Sequence, residues 1–79
     1  MALLISVAPT GDGWAVSSDV LENDLTFERG GRAEAAARSL AGRWAEKGAN
    51  AEVRIFLKDG ALAGRILHPA YGRPEVLAG

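Results

Sequence analysis

The chain has 79 residues, enough for one small domain and too few for two. Apolar residues make up 48% and charged residues 24%, so a core can form and disorder by composition is excluded. There is no cysteine, which excludes disulfides, thiolate catalysis and cysteine-held zinc or iron–sulfur centres, and a net charge of −1 directs the whole chain to neither nucleic acid nor a membrane surface.

The apolar start, Met1 to Pro9, has no basic leader. Leu3, Ile5 and Val7 alternate, so it reads as a strand from Leu3 to Ala8 rather than as a signal segment. No run approaches the length of a membrane-spanning helix. Thr10-Gly11-Asp12-Gly13 supplies a hairpin turn, in which Asp-Gly tolerates positive φ. A second strand, Trp14 to Ser18, follows with Trp14 and Val16 on one face. After a polar loop, Leu25-Thr26-Phe27 gives a short third strand.

Gly30-Gly31 breaks the pattern, and Arg32 to Lys47 is rich in strong helix formers. Ala33, Ala37, Leu40, Ala41 and Trp44 make one apolar stripe, and Gly48 is placed to cap the end. Ala51 to Lys58 alternates Val53, Ile55 and Leu57 with Glu52, Arg54, Phe56 and Lys58. Asp59-Gly60 turns the chain into a last strand, Leu62 to Leu67, which His68-Pro69 ends. Residues 1–69 form a single domain on this reading, and 70–79 an irregular C-terminal tail.

The expected fold class is α+β: a small antiparallel sheet of four or five strands, β-β-(β)-α-β-β, with one helix packed on one face. If the last strand pairs with the first, the order across the sheet is 3-2-1-5-4.

Gly13-Trp14-Ala15-Val16, the Thr26-Phe27 pair, the helix core from Ala33 to Ala41 and the later Asp59-Gly60 resemble the bacterial family called domain of unknown function 2188. The resemblance spans about residues 3–67. Family members often begin the helix with a Thr or Ser cap, where this chain has Arg29-Gly30-Gly31-Arg32. The resemblance implies a fold pattern and no activity, so it transfers no functional residue.

The chemistry-bearing residues are few. His68 is the single histidine and has no neighbouring acid in sequence, which makes a metal site or catalytic dyad poor. Gly11-Asp12-Gly13 precedes a strand and so is no phosphate loop. Asp19, Glu22 and Asp24 lack the regular spacing of a calcium loop. Neither a catalytic set nor a cofactor motif is present, and the chain is expected to be non-enzymatic, with no cofactor and no metal.

Two features point to binding. Arg29, Gly30, Gly31 and Arg32 stand where a helix begins, where free N–H groups and the helix dipole favour anions. Phe56, between Arg54 and Lys58 on the outward face of the clearest strand, marks a contact surface that also takes in Arg65. Charge is also uneven: residues 1–28 hold five acids and no Lys or Arg, whereas residues 29–79 hold all nine basic residues and five acids. The leading expectation is a cytoplasmic, self-associating interaction module, most simply a dimer, that does not bind membranes. The alternative is an anion or nucleic-acid binder that uses Arg29 to Arg32 and the basic helix.

Overall fold

A computed structural model describes residues 2–77; Met1 and the last two residues of the tail lie outside it. Among the described residues there are six strands and one helix: β1 (Leu3–Pro9), β2 (Trp14–Ser18), β3 (Leu25–Phe27), α1 (Gly30–Glu46), β4 (Ala51–Phe56), β5 (Leu62–His68) and β6 (Glu75–Leu77). They form a two-layer α+β domain, one helix against one mixed sheet in the order β3-β2-β1-β4-β5-β6.

The sheet departs from the expected all-antiparallel order. β1 pairs with β4, in parallel, in the register Leu3↔Ala51 to Val7↔Ile55. The chain path explains this. Two antiparallel steps, β1 to β2 and β2 to β3, leave β3 running with β1. The helix then carries the chain back, so β4 must restart in the direction of β3. The helix crosses over β2, and β4 takes the free edge of β1. β5 folds back on the outer side of β4, with a register shift where Ile55 gives way to Phe56.

The sheet also has more strands than expected. Glu75–Leu77, assigned to an irregular tail by its Gly72 and Pro74, pairs antiparallel with β5 as an edge strand. Three residues after two breakers leave no periodicity to read. At the other end of the register, β4 stops at Phe56, and Leu57 leaves the sheet half-exposed.

The core lies between the helix and the inner face of β2, β1 and β4. Ile5, Val7, Val16 and Val53 are fully buried against Ala33, Ala37 and Ala41, whose small side chains let the helix lie close. Leu40 is buried too, whereas Trp44 is half-buried and Ala45 takes the last buried position of the stripe.

The helix begins two residues earlier than its residue propensities indicate, at Gly30. Its capping residue, Arg29, has extended backbone and no side-chain cap. Gly48 closes the other end at φ 94°. The turn before β2 works differently from expectation. Gly13 does not have positive φ. A β-carbon there would run into the carbonyl oxygen of Phe27, so glycine serves close approach between β2 and β3. Gly60, at φ 85°, does provide the left-handed turn before β5.

Candidate interaction surface

The helix covers one face of the sheet, and among the described residues nothing covers the other. Side chains of alternate residues project there. On the β1–β3 half they are Leu4, Ser6 and Ala8, Ala15 and Ser17, and Thr26. On the β4–β6 half they are Glu52, Arg54 and Phe56, Arg65 and Leu67, and Glu75 and Leu77. The register aligns them in rows, Ser17–Ser6–Arg54–Arg65–Leu77 being one.

In that row Arg54 and Arg65 stand directly opposite one another on β4 and β5. Like charges in this relation repel. Glu52, two residues before Arg54 on the same face, settles between them. Its carboxylate accepts from Arg54 Nε at 2.5 Å and from Arg65 Nε and an Arg65 terminal nitrogen, each at 3.4 Å. The hydrogen bond from Arg54 holds the Glu52 carboxyl below the ordinary carboxylate range; partial burial opposes this and Arg65 reinforces it. Glu75 lies one row along, on the edge strand opposite Leu67.

Phe56, expected on the outward face, is there and is half-buried. Arg54, Phe56 and Arg65, on the two strands of one hairpin, therefore share one surface. Across the sheet a shallow recess of about 280 Å³ opens, lined by Leu4, Ser6, Ser17, Ser18, Asp19 and Asp24. Two acids of the polar loop thus border the β1–β3 half.

The second candidate group, Arg29 to Arg32, is brought together only in part. Arg29 and Arg32 line one depression of about 590 Å³ with Thr26, Phe27 and the opposing charge of Glu28. Gly30 serves packing instead, since a β-carbon there would sit 2.9 Å from the Trp14 ring. Gly31 faces open space.

His68, which the sequence leaves as a structural or merely exposed residue, is buried. It ends β5 opposite Ala51 and is 5% exposed. Its Nε2 is buried with no hydrogen-bond partner among the described residues. Burial, and then the positive charge of Arg38, hold its pKa below the ordinary value. It forms part of the wall of a cleft of about 550 Å³ between the end of α1 and the segment at Tyr71 to Pro74. Tyr71 adopts φ 57°, its N–H donates to the Ala45 carbonyl at 3.0 Å, and its hydroxyl leans over Gly48. A His-Pro pair at a strand end gives no sequence signal of such packing.

Among the described residues no three His, Asp or Glu side chains are grouped to hold a metal ion, and no helix is long and apolar enough to cross a membrane. Searches of family models, of curated proteins and of solved structures each found no match to this chain.

Proposed function

We propose that this domain is a small, non-enzymatic interaction module that associates with copies of itself through the uncovered face of its sheet. The observation that carries this reading is the six-stranded sheet with cover on one face only. Its other face bears an aromatic ring flanked by two arginines. The reading includes a cytoplasmic location, which the absence of cysteine suits. It also includes kinship with the bacterial domain of unknown function 2188, on the residues that carry the resemblance. Light scattering behind size exclusion, over a concentration series at two salt levels, tests it. The expected result is a mass that rises from 8.3 kDa towards twice that value; a constant monomer mass would contradict it.

A second reading has its own support. The first turn of α1 has neither a side-chain cap nor an acid, and Arg29 and Arg32 border the same depression. Together these favour an anion, including a nucleic-acid phosphate. On this reading binding weakens steeply with salt and falls in Arg29→Ala/Arg32→Ala. Absence of binding to DNA, RNA or inorganic phosphate at low salt would remove it.

A further inference from the structure

We infer that the cleft between the end of α1 and the segment Tyr71 to Pro74 binds a small molecule with a flat apolar body and one carboxylate, which Arg38 and His68 hold together. The cleft lies on the helix side of the sheet, so it does not depend on the uncovered face or on self-association. Its volume of about 550 Å³ is that of an ordinary small-ligand site.

One polar atom of its wall lacks a partner. His68 is 5% exposed, and its Nε2 is buried with no hydrogen bond among the described residues. A buried polar atom left so is costly, and a ligand atom that meets it recovers that cost. Burial and the charge of Arg38 keep the ring neutral near neutral pH, a form in which Nε2 can carry the proton and donate. Arg38 is the cation beside it. The Arg38 ion pair with Glu34, one turn back, is loose at 3.9 Å and solvated on both sides, which leaves the guanidinium donors to spare. A neutral donor and a cationic donor at one end of the cleft suit the two oxygens of a carboxylate.

The rest of the cleft is apolar and preformed. Arg38, Gly42, Ala45 and Glu46 follow one another along one face of α1. The middle two carry at most a methyl group, and nothing lies within 4 Å of where a β-carbon of Gly42 would stand, so the floor is flat and open. The facing wall is tied down. The Tyr71 N–H donates to the Ala45 carbonyl at 3.0 Å, the Ala70 N–H to Asn50 Oδ1 at 2.7 Å, and the Gly72 N–H to the Pro69 carbonyl at 2.9 Å. Glu46 stands roughly two turns from Arg38, at the far end, where it repels a second anionic group. A monocarboxylate fits this polarity and a dicarboxylate does not.

Cinnamate is the probe, with cinnamyl alcohol as its uncharged counterpart, each titrated into isotope-labelled chain and followed by amide and imidazole NMR shifts. Saturable shifts are expected at Gly42, Ala45, His68 and Tyr71. The His68 pKa should rise on saturation with cinnamate, because the carboxylate offsets the charge of Arg38. Cinnamyl alcohol should bind roughly tenfold more weakly, and Arg38→Gln should weaken cinnamate by roughly the same factor while leaving the alcohol unaffected. Gly42→Leu directs a side chain into the open floor, so the helix is kept and binding is lost. Absence of saturable shifts, or a folded Gly42→Leu that binds cinnamate as wild type does, would overturn the site. Equal binding of acid and alcohol would overturn the assignment of Arg38 and His68 to a carboxylate.

Discussion

Gly30 lies directly beneath the indole of Trp14: a β-carbon at this position would come within 2.9 Å of Cε2 and 3.1 Å of Nε1. One glycine therefore couples the first turn of the helix to the second strand. The ring belongs to the rim of the core and cannot swing away without opening it. Gly30→Ala should destabilise the domain by about 1–3 kcal/mol, the usual range for overpacking.

Gly42 gives the opposite result. It stands in mid-helix with nothing near its missing β-carbon. Gly42→Ala should stabilise by roughly 0.5–1 kcal/mol, through the smaller backbone entropy lost on folding. Urea unfolding of the two variants side by side checks both signs. Equal midpoints would show that the Trp14 contact carries no energy.

The arginine pair depends on Glu52. Replacing the carboxylate by Glu52→Gln keeps the shape and removes the charge that separates Arg54 from Arg65. With both guanidinium groups partly solvated, a loss of about 1–2 kcal/mol is expected. The loss should shrink as salt screens the arginines. A loss independent of salt would point to packing instead.

Acid acts on this fold through two groups. The folded-state pKa of His68 lies below the ordinary 6.5, so the unfolded chain takes up a proton that the folded chain refuses. Stability is therefore full above about pH 6.5 and declines as pH falls below it, by at most about 1.4 kcal/mol per pH unit. Glu52 has a folded pKa below 4.5. Its contribution is present above that value and is lost as pH falls through the folded pKa. Unfolding midpoints measured from pH 8 to pH 3 should thus fall in two stages. His68→Leu should abolish the upper stage alone; an unchanged upper stage would assign it elsewhere.

These elements differ in how plainly the sequence announced them. Ala33, Ala37, Leu40 and Ala41 recur at helical spacing, and Ile5, Val7, Val53 and Ile55 alternate, because burial on one face is a local constraint. The parallel pairing of β1 with β4 was not legible, since it follows from the direction in which α1 delivers the chain across the sheet. Glu75–Leu77 was hidden by its shortness, and its strand exists only because β5 offers an edge. At the site, alternation placed Arg54, Phe56 and Arg65 on the outward face, whereas their relation to Asp19 and Asp24 depends on strand order. The Gly30-Gly31 pair suggested an anion cradle, and the position of Trp14 shows why one of these glycines serves packing.

The central claim is that the uncovered sheet face joins copies of this chain, and sedimentation equilibrium of wild type beside Phe56→Glu tests it most directly. Wild type is expected to approach twice the 8.3 kDa monomer mass with rising concentration, and Phe56→Glu to remain at the monomer mass with an unchanged circular dichroism spectrum. A wild-type chain that stays at 8.3 kDa throughout, or a folded Phe56→Glu that still dimerises as wild type does, would contradict it.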